Sequence, residues 1–267
     1  QYLWRNMEYW VRDFGADGFR CDVADGIPLD FWEAARERLD KIRPDLCLLA
    51  EGTRREDQLT AFDLDYGWGF KWDNAANIRK QWETMRDERP RGGARFIRFI
   101  DNHDIANDSY DNRIEKAWGT RRVNATLVAL FTLDGVPMLY NGQEVADTAR
   151  HSIFGRLPID WSCGDQPAGQ ARRALCTRLC ELRRAERALT HGTVVWLDND
   201  QPDAVLSFLR KTEDQQILTV VNLSDKPLRV TVKVAASDFK PLLSEGMTGD
   251  AQSGFSLSAY GYFVAKP

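Results

Sequence analysis

Apolar and polar positions alternate along the first two thirds of the chain with two different periods. Near the start, apolar residues recur at helical spacing, at Leu3, Met7, Trp10, Val11 and Phe14. Gly15 follows them, which predicts a helix that ends at this glycine. Short apolar runs typical of strands lie at 17–23, 46–51, 61–66, 95–100 and 136–140, and further helical patterns at 70–87, 115–131 and 168–187. Strands that alternate with helices predict a parallel sheet with helical cover.

The segment PLDFWEAARERLDKIRP carries both end signals of a helix. Asp30 is placed to cap the amino end, with Glu33 three residues further on, and Pro44 is placed to stop the helix. The following run LCLLAE, at 46–51, is apolar throughout, as is typical of a strand covered on both faces.

The pattern changes near residue 190. Short alternating strands are predicted, with polar turns between them, at 193–197, 204–210, 216–222, 228–234 and 255–264. No helical pattern intervenes, so we expect a small all-β, sandwich-like domain. We place the domain boundary between 1–188 and 189–267.

Composition limits the classes of function. The 267 residues are 43% hydrophobic and 28% charged, with a net charge of −4, which is typical of a globular protein. Acidic and basic residues are interspersed, so charge gives no reason to expect nucleic acid or an anionic membrane as a partner. No apolar run approaches the roughly 18 residues that a membrane-spanning helix needs.

The five cysteines form no CxxC pair and have no zinc-ligand spacing with the three histidines. Because Cys21 and Cys47 fall in apolar strands, we expect them to be buried free thiols.

Acidic residues stand at the carboxyl ends of three predicted strands: Asp22, Glu51 and Asp104. Asp22 and Glu51 are 29 residues apart, and Glu51 and Asp104 are 53 apart. A (β/α)8 barrel of about 250 residues repeats about every 31 residues, so these gaps match one and two repeats. Such acids would meet on the rim where barrel enzymes place their chemistry.

Two carboxyl groups that flank a glycosidic bond are the usual machinery of glycoside hydrolysis. Arg20 lies two residues before Asp22 on one strand face, so its guanidinium should hold Asp22 as a carboxylate. Glu51 leaves an apolar strand with no cation adjacent in sequence, an environment that raises the pKa of a carboxyl. We therefore assign Asp22 as nucleophile and Glu51 as acid/base, about 5–5.5 Å apart as in retaining enzymes.

Each of these residues also has a structural interpretation. Taken alone, Arg20 and Asp22 could form a structural ion pair. Taken alone, His103 could be a loop histidine whose hydrogen bonds are made within the protein. Asp25 is interpreted as an acidic loop residue before a glycine. The joint occurrence of the acids at barrel spacing favours catalysis. In DYGWGFKW, at 65–72, we expect Tyr66 or Trp68 to contact a sugar ring by stacking.

Three segments, in order, resemble motifs of the α-amylase family, glycoside hydrolase family 13. They are DGFRCDVAD, LLAEG and FIDNHD, and GVPMLYNGQE at 135–144 resembles the stretch after the family's eighth strand. The resemblance implies that Arg20 orients the nucleophile Asp22, that Glu51 protonates the leaving oxygen, and that His103 and Asp104 bind hydroxyls of the −1 sugar. The β-rich tail resembles the family's C-terminal domain.

The sequence departs from the family in two places. Asp25 and Gly26 stand where many amylases carry Lys-His, which puts an endo-acting preference in doubt. The family's DxVxNH segment and its first three strands are absent from these residues. The resemblance therefore implies strands four to eight of a (β/α)8 barrel followed by the β domain. We expect such a sheet to self-associate or to pair with a missing N-terminal half of the barrel.

Three functions other than hydrolysis are considered from the sequence, of which one stays open and two are disfavoured. A transglycosylase of the same family shares every catalytic residue and transfers the glycosyl group to a sugar instead of water. A non-catalytic carbohydrate-binding or transporter-associated relative is disfavoured because all three acids are present. An unrelated barrel enzyme such as an aldolase is disfavoured because no strand-end lysine has barrel spacing. The resemblance implies no cofactor for the chemistry, and the structural calcium ion common in the family has no ligand motif in this chain.

Overall fold

The computed structural model of the chain describes residues 1–52, 60–86, 95–108, 113–235 and 238–267. The chain divides into two compact units. The first comprises Gln1–Phe70 with Met85–Arg98, and the second Lys71–Thr84 with Phe99–Pro267. The boundary expected after residue 188 stays a prediction.

In the first unit, helices and parallel strands alternate as expected. Its elements are α1 (Tyr2–Phe14), β1 (Gly18–Cys21), α2 (Leu29–Asp40), β2 (Cys47–Ala50), β3 (Leu64–Tyr66) and β4 (Arg95–Arg98). Strand β1 pairs with β2, β2 with β3, and β3 with β4, in each case in parallel. The carboxyl ends of these strands therefore lie at one edge of the sheet.

Helix α1 ends where the sequence predicted. Gly15 adopts the left-handed conformation that closes a helix, with φ 67° and ψ 29°. Helix α2 begins two residues earlier than expected, at Leu29, so Asp30 lies in its first turn and is not the N-cap. Pro28 takes the capping position because its fixed φ suits a helix start. Helix α2 packs Trp32 and Leu39 into the core of this unit.

Strand β2 is only partly the doubly covered strand that the sequence predicted. Leu48 and Ala50 are fully buried, but Cys47 is exposed. The expectation of a buried thiol is therefore wrong for Cys47, which opens the strand, whereas Cys21 is buried as expected. All five cysteines are free.

The second unit carries six further α-helices among the described residues. They are α3 (Ala75–Thr84), α4 (His103–Asp108), α5 (Ile114–Trp118), α6 (Thr120–Thr132), α7 (Pro167–Ala185) and α8 (Arg187–His191). The single helix expected at 115–131 is interrupted at Gly119, between α5 and α6. The strand expected at 136–140 is reduced to β5 (Val136–Pro137).

An all-β domain follows in the second unit. Its strands are β6 (Thr193–Trp196), β7 (Val205–Lys211), β8 (Gln216–Asn222), β9 (Leu228–Val230), β10 (Lys240–Asp250) and β11 (Gly254–Lys266). They form an antiparallel sheet in the order β10-β11-β8-β7-β6, with β9 also on β11. Strand β10 was missed because its residues are mostly exposed and show little apolar alternation.

Strand β11 joins the two halves of this sheet. Residues 255–257 pair with β9, and residues 262–265 pair with β8. Between them Tyr260 has a positive φ of 58°, which lets the strand bend. The buried side chains on this sheet include Val220, Phe255 and Phe263.

Within the described ranges, no helix combines the length and the apolar character needed to cross a membrane.

Candidate active site

In the first unit, one guanidinium joins the two acids that the sequence singled out. Arg20 Nη1 donates to Asp22 Oδ1, and Arg20 Nη2 lies 2.7 Å from Glu51 Oε1. The expected Arg20–Asp22 pair is therefore present. Adjacent nitrogens of one planar group hold both carboxylates, which brings their side chains together at the ends of β1 and β2.

The reason given for Glu51 as the acid is wrong. The sequence placed no cation beside Glu51, yet Arg20 is in direct contact with it because neighbouring parallel strands bring the two together. Glu51 Oε2 also accepts a hydrogen bond of 2.7 Å from the backbone N–H of Val23. The two side chains still differ in environment, since Glu51 is 14% exposed and Asp22 is 75% exposed.

The backbone after β1 is strained where it meets Glu51. Val23 lies in the left-handed region, with φ 43° and ψ 47°, which a β-branched residue rarely adopts. Two backbone hydrogen bonds of 2.9 Å, Glu51 N–H to Cys21 O and Ala24 N–H to Glu51 O, fasten the segments after β1 and β2 to each other. Strain of this kind persists only where surrounding contacts enforce it, and it is concentrated at functional sites.

Gly52 has no room for a side chain. A Cβ atom built on it would lie 2.1 Å from Asp25 Oδ1. The loop acid Asp25 thus sits directly against the residue that follows Glu51. Its carboxylate occupies space that only glycine leaves open.

Tyr66 and Trp68 form a stacked pair beside Arg20. Their ring centroids are 5.3 Å apart at 12°, and the guanidinium of Arg20 lies 5.9 Å from the Tyr66 centroid. Burial lowers the pKa of Arg20, but hydrogen bonds to Asp22 and Tyr66 and the charge of Glu51 raise it above its ordinary value. Tyr66 is only 4% exposed whereas Trp68 is half-buried, so Trp68 is the more accessible ring. Contact of either ring with a sugar stays a prediction.

In the second unit, His103 and Asp104 open helix α4. His103 Nε2 lies 3.4 Å from Asp104 Oδ2. The buried side chain of Asn102 accepts hydrogen bonds from the N–H groups of Asp104, at 3.0 Å, and Ile105, at 2.8 Å. Asn102 therefore caps the helix whose first turn carries the two predicted site residues.

A buried ion cluster behind His103 and Asp104 was missed by sequence reasoning. Arg113 is 2% exposed and bridges two buried carboxylates, Asp101 Oδ2 and Asp147 Oδ2, each at 3.2 Å. Its Nη2 donates to the carbonyl of Asn141 at 2.8 Å. Burial raises the pKa of Asp101 to about 6, although Arg113 acts in the opposite direction.

A second missed pair is Tyr140 and His151, whose closest atoms, Tyr140 Oη and His151 Nδ1, are 2.7 Å apart. Tyr140 lay within a segment marked by the resemblance, but a lone histidine in a polar loop carries no sequence signal. Arg113 likewise stands alone in a polar stretch, so only the fold shows its partners.

Comparison with known proteins points to one family. The model of the maltogenic amylase C-terminal domain matches residues 195–264. An α-amylase of Dictyoglomus thermophilum is 28% identical over 249 residues, covering 84% of this chain and 42% of that protein. A cyclomaltodextrinase of a Bacillus species is 26% identical, covering 83% of this chain and 41% of that protein. The chain thus spans about two fifths of the length of these curated relatives.

Solved structures show the same fold. The crystal structure of a noncanonic maltogenic α-amylase from Thermotoga neapolitana aligns with a TM-score of 0.80 at 24% identity, covering 99% of this chain and 64% of that chain. The expected fold, a partial (β/α)8 barrel followed by an all-β domain, is confirmed. The sequence matches and the shared fold agree: the chain is similar to the C-terminal part of the catalytic barrel of α-amylase-family enzymes, together with their C-terminal β domain.

Proposed function

We propose that this protein hydrolyses α-glucosidic bonds of α-glucans or maltooligosaccharides with retention of configuration. The single observation that carries the proposal is the shared guanidinium of Arg20, which holds Asp22 and Glu51 together at the ends of adjacent parallel strands. Two carboxyl groups that share one guanidinium are compatible with the separation of about 5–5.5 Å that a retaining mechanism needs, whereas an inverting one needs room for a water molecule between them. The names of the relatives, an α-amylase and a cyclomaltodextrinase, support α-glucans as the substrate class.

In the proposed mechanism, Asp22 attacks the anomeric carbon and forms a covalent glycosyl-enzyme. Its side chain is exposed, as an attacking group must be, and Arg20 fixes its orientation. Glu51 protonates the leaving oxygen and then deprotonates the water that releases the sugar. Each oxygen of Glu51 accepts one hydrogen bond and keeps a second lone pair, which can carry the proton that is transferred.

The remaining site residues have proposed binding roles. His103 and Asp104 bind hydroxyls of the reacting sugar, as the family resemblance implies, and Asn102 caps the helix that carries them. Tyr66 supports Arg20, and Trp68 offers a face to a sugar ring. No cofactor is required for these steps.

Leaving-group dependence tests the assignment of Glu51. We expect Glu51→Gln to lower turnover of maltooligosaccharides by roughly 10²–10⁴-fold, the usual contribution of a general acid. Aryl α-glucosides with good leaving groups need no proton, so their first step should be largely spared. The matched control is Asp22→Asn, which should abolish turnover of both substrates. Equal losses on both substrates in Glu51→Gln would contradict the acid role.

Product analysis separates hydrolysis from transfer. Incubation of the protein with maltotriose should give only shorter sugars and no larger oligosaccharide. Accumulation of longer products would identify the protein as a transglycosylase instead.

A further inference from the structure

The segment from Tyr140 to Ile153 is fastened to the His103–Asp104 region at two places. At one, Arg113 joins Asp101 to Asn141 and Asp147. At the other, Asn107 Oδ1 in helix α4 accepts hydrogen bonds from the N–H of Ile153, at 3.2 Å, and from Ser152 Oγ, at 3.3 Å. These contacts lie on both sides of His103 and Asp104 along the chain. They hold the segment beside the two predicted sugar-binding residues.

Tyr140 and His151 face each other within this segment. Their ring centroids are 5.3 Å apart at 42°, and the guanidinium of Arg113 lies 5.1 Å from the Tyr140 centroid. Tyr140 Oη is 2.7 Å from His151 Nδ1 and 3.3 Å from Nε2. The Tyr140 hydroxyl has one proton, which it can donate to only one of the two nitrogens, and the shorter contact is to Nδ1. Both side chains are half-buried, so the pair reaches the surface.

The surroundings keep both groups uncharged near neutral pH. Burial lowers the pKa of His151, and the charges of Arg113 and His103 lower it further, against the opposing effect of Asp147. Burial raises the pKa of Tyr140, with Arg113 opposing and Asp101 and Asp104 adding to it. A neutral imidazole and a neutral phenol suit the hydroxyl groups of an uncharged sugar.

We propose that His151 is a further substrate-binding residue, oriented by Tyr140 through Nδ1 so that Nε2 binds a hydroxyl of an α-glucan chain beside His103 and Asp104. This inference rests on the proposed function, since it names a further contact to the same substrate. The role is in binding, not in a chemical step.

Two substitutions of His151 separate this role from a structural one. Asn places an amide near the position of Nδ1, and Gln extends it towards the position of Nε2. We expect His151→Asn to weaken maltotriose binding about tenfold, which corresponds to the loss of one hydrogen bond. His151→Gln should bind close to wild type. Tyr140→Phe should weaken binding less than His151→Asn, because it removes only the orienting hydroxyl.

Isothermal titration calorimetry of the full chain with maltotriose gives the readout. Every protein compared carries Asp22→Asn, which blocks turnover of the sugar, and wild type here means that background with His151 unchanged. The control is His191→Ala, an exposed histidine in α8 that should leave the Kd unchanged. If His151→Asn binds like wild type while His151→Gln does not, the residue is structural and the inference is overturned. If wild-type protein binds and both variants bind equally well, the inference also fails while the proposed function stands. Absence of maltotriose binding in the wild type would overturn both.

Discussion

Arg20 is the residue on which the candidate active site depends. It contacts Asp22 and Glu51 with two different nitrogens and packs near the ring of Tyr66. The planar, five-donor guanidinium can do this, whereas the point charge of lysine cannot. Val23 and Gly52 lie next to the two carboxylates in sequence and determine the backbone conformation there. Substitution of either residue tests this.

Gly52 allows us to test how tightly the site is packed. Gly52→Ala should lower turnover on the order of 10- to 100-fold, because its Cβ would collide with Asp25 and shift the adjacent Glu51. The kinetic constants kcat and KM would be measured on maltotriose. Gly155→Ala is the matched control, since a Cβ there meets nothing within 4 Å. Equal activity of both variants would show that the contact with Asp25 is unimportant.

Val23 allows us to test the strain at the end of β1. Asn tolerates the left-handed region better than valine, so Val23→Asn should raise the free energy of unfolding by about 1 kcal/mol. The comparison is Val195→Asn in strand β6, also an exposed valine, which should be neutral or destabilising because asparagine is disfavoured in strands. Denaturant titration of both variants measures the difference. A loss of stability in Val23→Asn would mean that the backbone is not strained there.

At the scale of elements, the ion cluster around Arg113 connects segments that are distant in sequence. Asp101 precedes helix α4, Arg113 precedes α5, and Asp147 follows β5. One buried cation between two buried carboxylates leaves an excess negative charge. Burial away from water raises the pKa of Asp101 against the opposing effect of Arg113, so the stability of the cluster depends on pH.

The cluster predicts a specific dependence of stability on pH. The pKa of Asp101 is about 6 in the folded protein and about 3.9 in an unfolded chain, so the folded state binds the proton more tightly. The stabilisation from this group is complete below about pH 4 and is lost as the pH rises to about 6. Relative to Asp101→Asn, the wild-type free energy of unfolding should fall by on the order of 3 kcal/mol across that window.

Denaturant titrations at several pH values measure this difference. In Arg113→Met, the decrease in the free energy of unfolding should continue above pH 6, because Arg113 lowers the pKa of Asp101 and its removal raises that pKa further. A difference between wild type and Asp101→Asn that is constant from pH 4 to pH 6 would contradict the account.

At the scale of the whole molecule, the features that could be predicted from the sequence are those that recur along the chain at a regular spacing. Periodicity predicted α1, the parallel strands and most strands of the β domain, and the spacing of Asp22 and Glu51 predicted their common edge. Contacts between distant segments could not be predicted in this way. Arg20 reaches Glu51 only because β1 and β2 pair in register, which also explains why the electrostatic argument for Glu51 was wrong. The partners of Arg113 and His151 come from loops whose sequences show no period.

In the proposed retaining mechanism, Asp22 is the nucleophile that forms the covalent glycosyl-enzyme. The most direct measurement is peptide mass spectrometry after reaction with a fluorinated α-glucosyl fluoride, whose ring fluorine slows release of the covalent intermediate. We expect one fluoroglucosyl group on the peptide that contains Asp22, attached to its carboxylate, and no label in Asp22→Asn. A label on another residue, or consumption of the reagent by the wild type with no labelled peptide, would contradict it.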